Sequence, residues 1–485
     1  MLVAVTLPHL GDGDWMRGDS GWYAAIALKA WRTGELWTLY EGPGRPYFNK
    51  PPLVFWVQGA WMWIAGVGAW QARLATVAAA AVCVAVVGAI ARSLAGRRAA
   101  LVCGVLLAVN IEFFRRTREI SLDMWNLAFM LVAAWALVRL AMRGGGDHAA
   151  RGARAGSIAW PVVIAGAALG ASLMTKPLVG LAAPVLVIAW QIFERAAGSS
   201  RASPRPAIGT LLGPVVAAML LGVAIAAPWH LSMVRVHGDE FVDAYFGREV
   251  LARGTGELVG GQKATQPAWF YAANAAAGWT MWALAAALFV VGQRGWKIDP
   301  ARATLLRFGV SWGVGWLVLL TLFPDRRDRY ALPVHAGLAV AACALVGGRS
   351  RAAGRMLRIA PVAVAGVGVI VGMLPIRVQR EANEQWPALK KWMDEHPGDE
   401  PWDGGFSGAP AARVYLMTGL WPRTTRDVTG RQIADPPVGS VLLYHRRGGW
   451  APGPGEREEW SAGDLRATRL VTPPWAPVET PDPGE

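Results

Sequence analysis

Two acidic residues stand at the start of apolar segments, where a carboxylate can accept a proton or hold a cation. Asp19 precedes SGWYAAIALKAW, and Asp123 precedes MWNLAFMLVAAWAL. A carboxylate in the first turn of a helix also caps that helix or interacts favourably with its dipole. Taken alone, each acid is equally consistent with a structural role and with a chemical one.

Cations gather in the same group of segments. In RPYFNKPPLVFW, Arg45 to Trp56, the lone Lys50 stands where an aromatic-rich approach meets apolar residues. The other cations of these segments are Arg115, Arg116, Arg118, Lys176, Arg248, Arg253, Arg326, Arg327 and Arg329. A charge at a membrane boundary is unfavourable unless it reaches lipid head groups or another anion. Lipid phosphate accounts for some of these cations, and a lipid-linked phosphate substrate would account for the rest.

The composition indicates an integral membrane protein. Of the 485 residues, 54% are hydrophobic, only 17% are charged, and 26 are tryptophan. This is more apolar than a soluble chain of the same length needs. The formal net charge of +14 is spread in short clumps between apolar runs. Such clumps are typical of membrane topology and argue against a nucleic-acid partner.

Apolar runs of about 17 to 25 residues predict a series of membrane-spanning helices. Their predicted bounds are 72–91, 99–114, 122–142, 158–174, 177–193, 208–229, 268–292, 303–323, 330–346 and 357–375. Arginine is concentrated in every second connection, which the positive-inside rule makes cytoplasmic. The alternate connections, including 230–267, are then expected to face outward. Because MLVAVTLPHL is only about half of a span, we expect either a late start site or a truncated first helix.

This topology divides the chain into three predicted regions. Residues 1–71 form a first extracytoplasmic loop. Its apolar residues recur at helical spacing, which predicts an amphipathic helix along the membrane surface; they are Trp22, Tyr23, Ile26, Ala27, Ala30 and Trp31. Residues 72–376 form the transmembrane domain. Residues 377–485 are richer in proline, glycine and charge, and predict a small outward-facing soluble domain. Within it, RVYLMTGLW and GSVLLYHRR are predicted to be strands or buried turns.

Several segments together resemble a known family. They are, in order, RGDSGWYAAIALKAWRTGELW, GRPYFNKPPLVFWVQGAWMWIAG, TREISLDMW, SLMTKPLVGLAAPVLV, APWHLSMVRVHGDEFVDAYFGREVLARGTG and RRDRYALPVHAGLAV. Over about residues 15–346 the chain resembles the polytopic GT-C glycosyltransferases, in the branch of aminoarabinose transferases and protein O-mannosyltransferase-like enzymes. The resemblance implies an all-α integral membrane fold. It would be a GT-C-type multi-span helical bundle with outward-facing juxtamembrane helices and a small C-terminal soluble α/β domain.

The resemblance also implies roles for individual residues. Asp19 matches the first-loop acid that serves as general base or orients the acceptor, and Asp123 matches a second candidate catalytic acid. The residues that would contact the lipid phosphate are Lys50, Tyr47, Arg253 and Tyr330. The chain departs from the family pattern in four ways. Ser20 replaces the acid that follows the first-loop acid, and the arginine expected before Tyr23 is missing. Asn49 replaces an acid before the lysine, and Val250 replaces a histidine. These departures leave the sugar open between an amino sugar and an ordinary hexose or pentose.

The predicted function is that of an inverting glycosyltransferase in the bacterial inner membrane, with its active site facing the periplasm or cell exterior. It would pass a sugar from a polyprenyl-phosphate carrier to lipid A, a protein or an envelope glycan. A phosphate leaves as a stable anion, so one base and a set of cations suffice for this chemistry. No phosphate loop or HExxH motif is present, and we expect no cofactor or metal. A lipid or polysaccharide transporter and a non-catalytic carrier-binding protein remain as alternatives.

Overall fold

The structure is a computed structural model that describes most of the chain. The described residues are 7, 10, 11, 16, 19–142, 156–198, 208–255, 266–292, 298–346, 359, 377–399, 401–403, 414–416, 422–424, 436, 438–445, 456–462 and 465–471. The fold divides into two compact units. The first comprises 1–10, 48–54 and 73–371, and the second comprises 11–47, 55–72 and 372–485.

Helices make up the first unit. They are α3 Ala69–Val109, which begins in the second unit, α4 Ile111–Thr117, α5 Leu122–Ala141, α6 Gly156–Leu173, α7 Ala182–Ala196, α8 Ile208–Phe241, α9 Phe270–Ala277, α10 Trp279–Gly292, α11 Pro300–Leu322 and α12 Leu332–Leu345. Among the described residues, five helices are long and apolar enough to cross a membrane, or up to six if the bent pair α9 and α10 is one span. The predicted span 357–375 lies almost wholly outside the described residues.

Breaks between helices fall where the local sequence permits them. Helix α3 is interrupted at Ala95 and Gly96, where the glycine has a φ of 86°, a conformation that favours glycine because it has no Cβ. This break separates the predicted spans 72–91 and 99–114. The predicted end of the second span at residue 114 is too late, because α3 ends just before Asn110. The Asn110 side chain accepts hydrogen bonds from Glu112 N and Phe113 N and so caps α4.

The predicted end of the span 208–229 is wrong. Helix α8 continues to Phe241, with a break only at Gly238, and is followed by a π-helix over Val242–Ala252. Pro228 does not end the helix, because Trp229 and Met233 beyond it are buried in the unit. Tertiary packing therefore outweighs the helix-ending tendency of the proline.

Glycines let helix pairs of the first unit approach closely. A Cβ built on Gly337 of α12 would lie 2.3 Å from Gly313 N of α11. Likewise, a Cβ on Gly170 of α6 would lie 2.8 Å from the Ile225 side chain of α8. Such small-residue contacts are common between membrane helices, since packing rather than the hydrophobic effect holds them together in lipid.

The second unit contains α1 Asp19–Thr33 and most of α2 Leu53–Ala65. The predicted helix after Asp19 is present, but its buried residues are not confined to one face, since Ala24 to Leu28 are all buried. Small residues explain this burial, because a Cβ on Gly59 of α2 would lie 2.2 Å from Ala27 O. Trp31 Nε1 also donates a hydrogen bond to Trp56 O at 2.8 Å.

A small mixed sheet with one long helix forms the C-terminal part of the second unit. The elements are α13 Arg377–Glu395, β1 Pro401–Asp403, β2 Arg423–Thr424, β3 Val441–His445, β4 Glu456–Ala462 and β5 Leu465–Leu470. The strand order is β2-β1-β3-β5-β4, with β1 parallel to β2 and β3 and with β5 antiparallel to β3 and β4. GSVLLYHRR contains a strand, and Val414–Leu416 of RVYLMTGLW is a buried helical turn. Both agree with the prediction that these segments are strands or buried turns.

Alternation along β3 builds the core of this part. Val441 and Leu443 pack with Trp386 and Leu389 of α13 on one face of the sheet. Leu442 and its neighbours on the other face form a separate apolar cluster. Successive side chains of a strand point to opposite faces, so one short apolar strand serves both clusters.

Candidate functional site

Asp19 and Tyr47 lie in the second unit. Asp19 occupies the first turn of α1, and Tyr23 Oη donates a hydrogen bond to its Oδ2 at 3.4 Å. Tyr47 is buried, and its ring makes edge contacts with Trp22 and Phe55 at centroid distances of 5.4 and 5.5 Å. Aromatic residues of the first loop thus surround the helix end that carries the predicted general base.

Lys50 lies in the first unit and is nearly buried, with 7% of its surface exposed. Its Nζ donates a hydrogen bond to Asn49 O at 2.8 Å and forms an ion pair with Glu249. The two partners are far apart in sequence and meet because the π-helix passes the segment that follows Tyr47. A buried ammonium needs such partners, because an unpaired charge away from water is costly.

Asp123 begins a second charged group in the same unit. Ser121 caps α5 by accepting a hydrogen bond from Met124 N, which places Asp123 in the first turn. Lys176 Nζ donates to Asp123 Oδ1 at 2.5 Å, and Arg329 Nε lies 3.7 Å from Asp123 Oδ2. Lys176 also lies over the ring of Tyr330, with Nζ 4.6 Å from the centroid. One carboxylate therefore draws two cations and an aromatic hydroxyl residue together.

The turn that carries Lys176 joins this group to the segment of Lys50. Met174 O accepts a hydrogen bond from Leu53 N at 3.1 Å, three residues after Lys50. Ser172 Oγ donates to Asn126 Oδ1 of α5 at 2.5 Å. Because the same turn is bonded to both neighbours, Lys50 and Asp123 belong to the same end of the first unit.

A further set of charges supports the loop that leads to Tyr330. Arg115 Nη2 donates to Asp328 Oδ2 at 3.1 Å, and Arg116 also forms an ion pair with Asp328. Burial by itself lowers the pKa of Arg116, but Glu119 and Asp328 outweigh it, so the pKa is raised. Arg327 N donates to Tyr271 Oη at 3.1 Å. These bonds fix the backbone just before Tyr330.

Of the predicted site residues, the structure brings Asp123 and Tyr330 together and places Lys50 at the same end of the first unit. For Arg253 only the backbone is described, and it begins the helical turn Arg253–Thr255 that follows the π-helix. Within the described residues no group of three or more histidine, cysteine, aspartate or glutamate side chains is arranged to hold a metal. The described site offers cations and hydroxyl groups, which suit an anionic ligand such as phosphate.

Sequence reasoning left three members of this site unassigned: Lys176, Arg329 and Glu249. Lys176 and Arg329 were among the cations at the membrane boundary, but no specific role was predicted for them. Their position at helix ends was the only sign in the sequence that they could belong to the site. Glu249 had no comparable signal, because it is one acid within the mixed segment FGREVLARG. Its importance follows from Lys50, which lies 199 residues earlier.

Several known proteins resemble this chain in sequence. The family described as dolichyl-phosphate-mannose-protein mannosyltransferase matches residues 49–222, a stretch that includes Lys50, Asp123 and Lys176. An undecaprenyl phosphate-alpha-4-amino-4-deoxy-L-arabinose arabinosyl transferase of Edwardsiella ictaluri is 26% identical over 471 residues, covering 93% of this chain and 71% of the relative. A protein of the same description from Pseudomonas fluorescens is also 26% identical, over 86% of this chain and 69% of the relative.

A solved structure has the same fold over nearly the whole chain. The crystal structure of ArnT from Cupriavidus metallidurans bound to undecaprenyl phosphate superposes with a TM-score of 0.72 at 17% identity, covering 97% of this chain and 98% of that one. The chain is a GT-C-fold glycosyltransferase. Within this class it resembles the aminoarabinose transferases, as its sequence motifs predicted. As a GT-C glycosyltransferase with several long apolar helices, it is a multi-pass membrane protein.

Proposed function

We propose that this GT-C glycosyltransferase takes a sugar from a polyprenyl-phosphate carrier and transfers it, with inversion, to an acceptor outside the cytoplasm. The observation that carries the proposal is the charged group around Asp123, together with buried Lys50 at the same end of the unit. The curated relatives named above are arabinosyl transferases that use undecaprenyl phosphate. We therefore favour undecaprenyl phosphate as the carrier.

In this proposal, the cations of the first unit bind the phosphate of the carrier. Lys50 supplies a point charge, Arg253 a guanidinium fork, and Tyr330 a hydroxyl donor, while Tyr47 belongs to the loop that presents Lys50. As the glycosidic bond breaks, negative charge grows on the departing phosphate. Fixed cations stabilise that charge without having to reorganise, which is the largest catalytic contribution in many enzymes.

The two carboxylates take different parts. Asp19 is the proposed general base that accepts the proton of the acceptor as it attacks the sugar. Asp123 is already engaged with Lys176 at 2.5 Å, and this ion pair favours a role in holding cations for the phosphate over a role in accepting a proton. A protonated acid is not needed for the leaving group, because a phosphate departs as an anion.

Location and acceptor complete the proposal. We place the protein in the bacterial inner membrane with its active site on the periplasmic side, because the proposed phosphate ligands lie in segments opposite to the arginine-rich connections. Lipid A, exported proteins and envelope glycans are the acceptor classes. The sugar is an amino sugar, a hexose or a pentose.

The test is mass spectrometry of lipid A, envelope glycans and exported proteins from a deletion strain that carries wild type, Asp19→Asn or an empty vector. We expect one sugar mass to disappear in the deletion strain and to return only with wild type. The nearly isosteric asparagine keeps the size of the side chain and an oxygen that can accept the Tyr23 hydrogen bond. It cannot act as a base, so it separates the chemical role of Asp19 from its structural role. Restoration by Asp19→Asn would overturn the general-base role.

The two alternative functions give different results in the same strains. If no glycan differs among them, the protein does not transfer a sugar under these conditions, and a non-catalytic carrier-binding protein or a transporter takes precedence. A liposome assay then separates these two, because only a transporter moves the carrier lipid between leaflets.

A further inference from the structure

Glu249 is an acid that the proposed transfer reaction does not use, and it is paired with a lysine that the reaction needs. The side chains of Lys50 and Glu249 are 8% and 7% exposed. An ion pair on the surface would contribute little to stability. A pair this deeply buried restricts which other ligands each of its partners can bind. The question is what happens to this carboxylate when a phosphate approaches Lys50.

The segments that carry the two partners are held together by aromatic contacts. The ring of Phe48 packs against His237 and Phe241 at centroid distances of 4.9 and 5.5 Å. Tyr245, one helical turn before Glu249, is buried, stacks on Phe241 at 5.1 Å, and its Oη lies 3.0 Å from His230 Nε2. Glu249 is thus presented to Lys50 by packed residues on both sides.

Carboxylate and phosphate compete for an ammonium because both are oxygen anions that accept short charge-assisted hydrogen bonds. An ammonium offers only three N–H donors, and Asn49 O and the Glu249 carboxylate both accept hydrogen bonds from Lys50 Nζ. A phosphate brought to this ammonium also comes close to the Glu249 carboxylate. Two like charges side by side in a poorly hydrated site repel each other strongly.

We infer that Glu249 is an internal counter-anion of Lys50 that the carrier phosphate must replace, and that it thereby sets the affinity of the site for carrier. This inference rests on the proposed function, in which Lys50 contacts the phosphate. Glu249 weakens binding of the anionic carrier and gives the buried ammonium an ionic partner when no carrier is bound. Such a counter-anion also limits how tightly the released undecaprenyl phosphate is retained, since its phosphate gains negative charge once the sugar has left.

The test measures the affinity of the full-length protein in lipid nanodiscs for undecaprenyl phosphate. The variants are Glu249→Gln, Lys50→Met and the double variant, with Asp243→Asn as the matched control. Asp243 is an exposed acid on the same π-helix, so its change removes the same charge without touching the pair. Glu249→Gln should bind undecaprenyl phosphate about tenfold more tightly, an effect of the size usual for coupled sites. Asp243→Asn should bind as wild type does.

Four outcomes separate this inference from the proposed function. Tighter binding by Glu249→Gln that vanishes in the Lys50→Met background supports the inference. Equal or weaker binding by Glu249→Gln, with Lys50→Met still weakened, overturns the inference alone. Tighter binding that persists in the double variant also overturns it, because the effect then does not pass through Lys50. If Lys50→Met binds as wild type does, the proposed phosphate contact fails as well.

A second variant covers the case in which Glu249→Gln gives no folded protein, as judged by gel filtration. Glu249→Asp keeps the charge but shortens the side chain by one methylene, which lengthens the ion pair. It should bind undecaprenyl phosphate more tightly than wild type does, but by less than the roughly tenfold expected when the charge is removed. Unchanged or weakened binding by the aspartate variant would overturn the inference.

Discussion

Replacing Asp123 with asparagine distinguishes a carboxylate that holds cations from one that accepts a proton. At the observed 2.5 Å between Lys176 Nζ and Asp123 Oδ1, the attraction is about 7 kcal/mol at an effective dielectric constant of about 20. Removing both charges from water offsets most of this attraction. The expected coupling energy between the two side chains is therefore about 1 to 3 kcal/mol.

Each single substitution should lower the free energy of unfolding by more than the coupling energy of the pair, because it leaves one nearly buried charge without its principal partner. Asp123→Asn should lower the free energy of unfolding by about 3 kcal/mol. Lys176→Met should also destabilise the protein, and the double variant should be more stable than the sum of the two single effects predicts. Asp394→Asn is the matched control, since Asp394 is 61% exposed in a surface pair with Lys390. That control should change stability by less than about 0.5 kcal/mol.

Urea unfolding of the purified protein in detergent micelles, combined with undecaprenyl phosphate binding, measures this cycle. If Asp123 holds cations, Asp123→Asn loses stability and carrier affinity together. The reasoning is refuted if Asp123→Asn keeps the stability and carrier affinity of wild type while sugar transfer in the complementation strain is lost. That result would make Asp123 a proton acceptor in the reaction.

Two other predictions concern packing and pH. Gly337→Ala should lower the free energy of unfolding, measured in urea, by about 1 to 3 kcal/mol. The reason is that the alanine Cβ would lie 2.3 Å from the backbone of the neighbouring helix. Gly209→Ala is the control and should leave stability unchanged, because no atom lies within 4 Å of a Cβ at that position. Hydrogen bonds from Arg469 lower the pKa of Asp399 and of Glu459. Both carboxylates therefore contribute stability that is complete above their unfolded pKa values of about 4 and is lost as the pH falls through the lower folded values. Amide exchange of residues 465–470, corrected for intrinsic rates, should show protection at pH 6 that declines below about pH 4, and constant protection would contradict this assignment.

Local patterns in the chain predicted most of the long helices and placed Asp19 and Asp123 at the starts of helices. Hydropathy marks the apolar runs, and a carboxylate is favourable in the first turn of a helix. Each of these effects depends on neighbours within a few positions, so it can be recognised in one sequence. The same locality explains why the end of α8 was predicted wrongly, since the burial of Trp229 and Met233 depends on other helices.

The membership of the charged groups depends on packing between remote segments. Nothing near Lys50 indicates that its partner is Glu249, and nothing near Asp123 selects Lys176 and Arg329 from among the boundary cations. These pairs form because the fold brings the π-helix to the segment of Lys50, and brings Lys176 and Arg329 to the start of α5. A salt bridge requires its two charged atoms within about 4 Å, and only the packed fold brings residues so far apart in the chain to that distance.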